Sequence, residues 1–357
     1  MSSSYGQRIR VTLFGQSHGE AIGMVLDGLP AGETIDMAAL QKFLDRRAPG
    51  QSNLTTKRKE MDQPRFVSGL FQGHTCGAPL CGVIENTDTH SEDYQKLADI
   101  PRPSHADWPA WVKHRGYNDY RGGGHFSARL TAPFCMAGGI LLQILAKRGI
   151  SIRSRLLAVG PIQDQPWSPL SQDWPSPQPN TWGLPVSSPD IAADMANYIQ
   201  AIAQSSDSVG GVVECCVTGM PVGVGEPFFD SLESQISHVV FSIPAVKGIE
   251  FGSGFISATR KGSENNDPYC ILNGTIQPST NHHGGILGGL STGVPVVFRV
   301  AFKPTPSIAQ PQASVSIRHN SPESLTIQGR HDPCVAIRAV PCIEAAAAIA
   351  LAEDILG

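Results

Sequence analysis

The sequence runs to 357 residues, 41% of them hydrophobic, enough to bury a large core in one large or two ordinary domains. Its 27 basic and 31 acidic residues leave a net charge of −4, which excludes an overall electrostatic pull toward nucleic acid or an anionic membrane, so any anion site must be local. No stretch nears the roughly 18 unbroken apolar residues of a membrane span, and Met1 to Gly6 carries no basic-then-apolar leader, so the expectation is a cytoplasmic protein.

In chain order, Arg8 to Phe14 alternates at period two and Ala21 to Leu26 repeats the signal, which predicts a hairpin with residues 15–19 at its tip. Ala38 to Arg47 follows Asp36, a good N-cap, and reads as a short helix ending before Pro49-Gly50. Leu130 to Arg148 is long, apolar and closed by Gly149, as a buried helix would be. The segment from Asp164 to Pro185, rich in Pro, Ser, Gln and Trp, reads as a surface loop within one domain spanning 1–357. Ser188-Pro189 starts a further helix running to about Ser205. Gly211 to Thr218, Gly254 to Arg260 and Val296 to Lys303 read as strands, and Val340 to Leu356 as a closing alanine-rich helix. Long apolar helices among many strands predict an α+β layered fold. The eight cysteines (Cys76, Cys81, Cys135, Cys215, Cys216, Cys270, Cys334, Cys342) form no C-x-x-C pair and lie scattered in apolar contexts, so neither a disulfide framework nor a metal site is expected.

Chemistry-bearing residues gather in glycine- and charge-rich loops. Gly15-Gln16-Ser17-His18-Gly19 satisfies the G-x-S-x-G pattern of serine hydrolases, but one short strand precedes it and a strand follows, where a nucleophile elbow needs a helix. A second group comprises Arg102, His105 and Asp107, then Asp119-Tyr-Arg121-Gly-Gly-Gly124 and Ser127-Ala-Arg129 just ahead of the long helix. Consecutive glycines let backbone N–H groups approach a ligand, the helix start favours phosphate, and flanking arginines tip a simple turn toward an anion cradle. A third joins Asn281-His-His-Gly-Gly-Ile-Leu-Gly288-Gly289 with Lys303-Pro-Thr305 and Gly329-Arg330-His331-Asp332-Pro-Cys334, with Arg338 beyond. Arg330, His331 and Arg338 would hold an acid at Asp332 ionised, though this cluster taken singly is more readily a structural ion pair.

Together these loops resemble the chorismate synthase family from Gly6 to the final helix. The shared pieces include Ser17-His18-Gly19, Arg46-Arg47-x-Pro49-Gly50, Ile84-Glu85-Asn86-Thr87-Asp88, Arg102-Pro-x-His105-Ala-Asp107, Ser127-Ala-Arg129, Ser242-Ile-Pro-Ala245-x-Lys247-Gly248 and Gly329-Arg-His-Asp-Pro-Cys334. The resemblance implies a β-α-β sandwich, with long helices packed between antiparallel sheets, and a homotetramer. It also implies anti-1,4-elimination of phosphate from 5-enolpyruvylshikimate 3-phosphate, with reduced FMN as cofactor and a separate flavin reductant. By the same resemblance His18 protonates the leaving phosphate, His105 protonates or stabilises reduced flavin near N1, and Asp332, helped by Ser127 and Ser17, relays a proton from flavin N5. Ser127, Ala245, Gly288, Lys303, Pro304, Thr305, Ser307 and Arg330 carry over as flavin-binding positions. A substrate with two carboxylates and a phosphate calls for several guanidiniums in one cleft, and Arg46, Arg47, Arg129 and Arg338 are the candidates. Gln16, Asn53, His125, Phe126, His283 and Pro306 depart from the family pattern. Losing positive charge at 53 and 125 would weaken anion binding by about 1.5–3 kcal/mol for each charge-assisted hydrogen bond lost. A flavin-binding relative with lost or altered substrate, and a hydrolase using Ser17, are the competing readings.

Overall fold

Two five-stranded antiparallel sheets enclose a layer of helices in the computed structural model, which describes residues 3–50, 54–55, 61–87, 97–168, 170–171, 180–327 and 331–357. The first sheet runs in the order Ser4–Tyr5, Arg10–Gly15, Ala21–Asp27, Leu80–Glu85, Arg65–Ser68; the second runs Val246–Phe251, Val296–Phe302, Gly211–Thr218, Ser151–Val159, Ile162–Gln163. The helices are α1 (Met37–Arg47), α2 (Asp107–Lys113), α3 (Thr131–Ala146), α4 (Pro189–Gln204), α5 (Leu232–Val240), α6 (Gly262–Asn265) and α7 (Ala336–Leu356).

Helices α3 and α7 form the central layer, α3 against the first sheet and α7 against the second, with one hydrophobic core running through both. Residues 128–146 are apolar enough to span a membrane by composition, but most of the segment is buried inside the protein, as an all-round apolar helix of a core should be. The two helices touch because their residues are small: a Cβ added to Gly138 would stand 2.3 Å from the Ala345 Cβ. This explains the alanine run of α7, which starts at Ala336 rather than at the expected Val340 and carries Pro341 inside it.

The expected hairpin forms, with Val11 opposite Leu26 and Leu13 opposite Met24. Helix α1 is capped by Asp36, whose carboxylate accepts from the amides of Ala38 and Ala39, and α4 by Ser188 with Pro189 in its first turn. Two expectations need correction. Residues Gly254–Thr259 form a 3₁₀ turn, not a strand, because Gly254 takes φ +53° and its neighbours Phe255 and Ile256 point to solvent with no sheet to cover. The segment 164–185 is not simply a surface loop either: Asp164, Trp167 and Leu184 are buried, while 169 and 172–179 lie outside the described residues.

That segment covers a charge ladder on the second sheet, where Arg155, Glu214, Arg299 and Glu250 stand opposite one another across four strands. Arg155 is fully buried, donates to Glu214 at 3.0 Å and to Asp164 at 2.9 Å, and stacks over the Trp167 ring at 4.5 Å. Of the eight cysteines, all free, five are buried as expected and Cys76 is exposed.

Candidate active site

The C-terminal end of α1, the entrances to α3 and α7, and the ends of the strands Val246–Phe251 and Val296–Phe302 meet around a cavity of about 550 Å³, a size suited to a cofactor-sized ligand. Among the described residues, Arg47, Arg102, Arg129, Lys247, Lys303 and Arg338 line it together with one acidic residue, Asp332. Phe241, Ile243, Val246, Phe302 and Val335 supply an apolar wall. The starts of α3 and α7 add the partial positive charge of helix N-termini to the same space.

The glycine triplet joins the two candidate histidines. Gly122, Gly123 and Gly124 all have positive φ, a backbone that side chains other than glycine's rarely tolerate. The face of Gly122 lies against the His18 ring and the Ser17 hydroxyl, while Gly123 lies against the His105 ring and Arg102. Ser17 donates its amide to the Gly124 carbonyl at 3.1 Å, and Asn86 Nδ2 donates to the carbonyls of Gln16 (3.1 Å) and Gly19 (2.9 Å), so the hairpin tip is clamped onto the triplet. His18 and Ser17 are thus buried one residue behind the wall, whereas His105, Gly122 and Ser127 are in it.

His105 Nδ1 stands 2.6 Å from Asp107 Oδ1 and 3.1 Å from Arg102 Nη2; a ring proton on Nδ1 would satisfy the carboxylate, and Nε2 is left beside Gly123. Arg102 clamps the same carboxylate through Nε (2.8 Å), Nη2 (2.8 Å) and its backbone amide (3.0 Å). Burial opposes the charge on Asp107, but the hydrogen bonds from Arg102 and His105 outweigh it and hold the carboxyl well below the usual range. In the sequence Asp107 stands out only as part of a motif, two residues after His105.

Three of the four candidate substrate arginines converge on the cavity. Arg47 and Arg129 both pair with the buried carboxylate of Asp62; Arg47 Nε also donates to Thr131 at 3.1 Å, and Arg129 Nε to Asn86 at 3.0 Å. Burial raises the pKa of Asp62, and the two guanidiniums more than reverse this, leaving it below its ordinary value. Arg338 donates to Asp332 at 2.5 Å and to the Arg47 carbonyl at 2.9 Å. Arg46 turns away into a bidentate pair with Glu344 at 2.7 and 2.8 Å and is not among the lining residues. Sequence reasoning missed Asp62, which has no local signature.

Of the candidate flavin positions, Ser127, Ala245, Lys303, Thr305 and Ser307 line the cavity. Ala245 holds φ +75°, a strained backbone for alanine. Burial, then repulsion from Lys247, lowers the pKa of Lys303, whose Nζ donates to the Ser104 carbonyl at 3.0 Å. Two ammoniums gathered this way suit a phosphate or an anionic ring. Thr305 donates to the Asp332 carbonyl at 3.0 Å, tying the two loops. Pro304 is exposed outside the lining, Gly288 sits in the turn of a small hairpin away from it, and Arg330 lies outside the described residues.

Among the departures, His125 lines the cavity but spends its ring on the hairpin, with Nδ1 2.8 Å from the Gly15 carbonyl and Nε2 2.9 Å from Ser3 Oγ. Phe126 and Pro306 also line it. His283 belongs elsewhere, accepting from the Gly285 amide at 2.8 Å beside Asp267, and Asn53 lies outside the described residues. No group of three or more metal-ligating side chains occurs among the described residues. The hydrolase elbow is not formed, since residues 16–19 join two antiparallel strands.

The chorismate synthase family profile matches residues 9–356. Relatives named chorismate synthase include those of Korarchaeum cryptofilum (42% identical over 99% of this chain and 97% of the relative) and Chitinophaga pinensis (45%, 99% and 96%). That of Lancefieldella parvula is 43% identical over 99% of this chain and 96% of its own. A crystal structure of a chorismate synthase superposes with a TM-score of 0.75 at 24% identity, covering 99% of this chain and 93% of that one, which bears out the β-α-β sandwich. By sequence over nearly its whole length, this chain belongs to the chorismate synthase family.

Proposed function

We propose that this enzyme, by its family a carbon–oxygen lyase acting on phosphates, eliminates phosphate from 5-enolpyruvylshikimate 3-phosphate in the anti-1,4 sense to give chorismate, in the shikimate pathway. The observation that carries this reading is one cavity lined by six cationic side chains, one acidic residue and an apolar wall. Such a lining would suit a planar anionic cofactor together with a substrate bearing three anionic groups better than it suits any neutral ligand.

The residues fit reduced FMN: Phe302, Ile243 and Val246 offer apolar surface for a ring, and Lys303, Lys247 and Ser307 offer donors for its negative charge. When bound, reduced FMN supplies an electron-rich ring that lets the bonds to phosphate and hydrogen break without net oxidation. Arg47, Arg129 and Arg338 orient the substrate's anionic groups, and Asp62 fixes the first two guanidiniums in place. His18, behind Gly122, is the proton donor for the departing phosphate; His105, held by Asp107 through Nδ1, donates from Nε2. Asp332, paired with Arg338, takes the proton removed from the substrate, helped by the hydroxyls of Ser127 and Ser17.

The continuous core supports treating the chain as a single domain. Phe228, Phe229, Phe255, Tyr269, Ile271 and Ile276 are exposed apolar side chains of the kind that self-association covers, in keeping with a homotetramer. A cytoplasmic location and a separate flavin reductant complete the reading. His125, engaged with the hairpin where the family has arginine, favours a second reading in which flavin binds but the substrate has changed. The cofactor assignment is tested by thermal unfolding: FMN and substrate together should raise Tm more than either alone. An unchanged Tm at saturating FMN rejects that assignment.

A further inference from the structure

The proposed elimination uses no thiol, yet two thiols meet at the cavity floor. Cys342, on α7, lines the cavity, and Cys135, on α3, is wholly buried behind it. Their sulfurs are 3.7 Å apart, with the Cys135 thiol donating to Cys342 Sγ and the Cys342 thiol turned to the Arg338 carbonyl at 3.6 Å. Arg47 and Arg338 both bring positive charge to this corner. The hydrogen bond from Cys135, against burial and with help from Arg47, lowers the Cys342 pKa, whereas burial pushes that of Cys135 well up. Cys342 is thus the thiol at the surface of the cavity, and Cys135 stands behind it and donates to its sulfur, the placement of an attacking and a resolving cysteine.

We propose that Cys342 is a site of modification by hydrogen peroxide or a small hydroperoxide, with Cys135 as the thiol that resolves it into a disulfide linking α3 and α7. The Cys342 thiolate attacks one peroxide oxygen and the O–O bond breaks; sulfur loses two electrons, the peroxide gains them, and the departing hydroxide takes a proton to become water. Cys135 sulfur then gives up its proton and attacks the resulting sulfenic acid, expelling a second hydroxide that leaves as water. The balance is two thiols and one hydrogen peroxide to one disulfide and two waters; with a hydroperoxide the first leaving group departs as the alcohol in place of one water. Closing 3.7 Å to a bond of about 2.05 Å requires side-chain rotation and a small approach of helices that already touch at Gly138.

The test uses the full chain without flavin or substrate, so its outcome is independent of the elimination reading. The protein is treated with hydrogen peroxide, denatured, alkylated and mapped by mass spectrometry without reduction. The expected result is a loss of two hydrogens per chain, a cross-link joining the peptides of Cys135 and Cys342, and reversal by dithiothreitol. In Cys135→Val the expected product is a dimedone-trapped sulfenic acid at Cys342. A cross-link between other cysteines, or oxidation confined to the exposed Cys76 while Cys342 stays alkylatable, overturns the proposal. Should Cys135→Val not fold, the map of the unaltered chain decides alone.

Discussion

Gly122→Ala disturbs His18 without removing it. Gly122 holds φ +57°, where a side chain costs about 1–2 kcal/mol. An added Cβ would stand 2.5 Å from His18 Cδ2, 2.7 Å from its Nε2 and 2.7 Å from Ser17 Oγ. Carbon contacts settle at about 3.5–4.0 Å, so the ring must retreat by about 1 Å. A misplacement of that size costs on the order of 10²-fold in rate. Gly73→Ala is the control, since Gly73 has φ +81° and nothing within 4 Å of the added Cβ. Anaerobic phosphate release with reduced FMN, measured beside Tm, should show turnover falling about 10²-fold in Gly122→Ala and holding near normal in Gly73→Ala. Turnover in Gly122→Ala within about threefold of the unaltered enzyme, an effect worth less than ~1 kcal/mol, would refute the coupling of the triplet to His18.

His18→Ala and His105→Ala should each lower turnover by roughly 10- to 10⁴-fold with the fold intact, and near-normal rates in both would remove their assigned roles. Arg155→Met leaves the buried Glu214 and Asp164 short of their shared cation and should cost about 3–5 kcal/mol in urea unfolding; a change under about 1 kcal/mol would show the ladder to be dispensable. Asp62 and Asp107 have folded-state pKa values below their unfolded ones, so their stabilisation is present above about pH 4 and lost as pH falls through the lower folded values. Unfolding free energy should therefore be flat from neutrality to about pH 4 and drop below it in a way that Asp107→Asn makes shallower; an unchanged slope speaks against the paired carboxylates. His125→Arg should lower KM for substrate or Kd for FMN with little change in kcat if the cleft is a weakened ordinary one. Phosphate release that stays negligible in both forms points instead to a changed substrate.

Legibility tracked how local the cause was. Asp36 and Ser188 cap helices with their own neighbours, and the Arg10–Gly15 and Ala21–Asp27 strands are adjacent in the chain, so all were readable. Gly254 defeated the strand reading because its positive φ answers to the Glu250 side chain, which accepts from the Phe255 amide at 3.3 Å. Arg46 and Arg47 look equivalent in sequence but point about 100° apart on a helix; only Glu344, 298 residues from Arg46, decides that Arg47 faces the cavity. Asp62 reaches partners 15 and 67 residues away, a distance that no spacing rule covers.

The central claim is a phosphate elimination without net redox change in the cavity of six cations. The measurement that meets it most directly is a single-turnover reaction under strict anaerobiosis, with reduced FMN and 5-enolpyruvylshikimate 3-phosphate, following phosphate, chorismate and flavin absorbance together. Phosphate and chorismate should appear in equal amounts while the flavin ends reduced, and both should fall together in His18→Ala. Flavin bound with no phosphate released, or phosphate released without chorismate, would contradict the account.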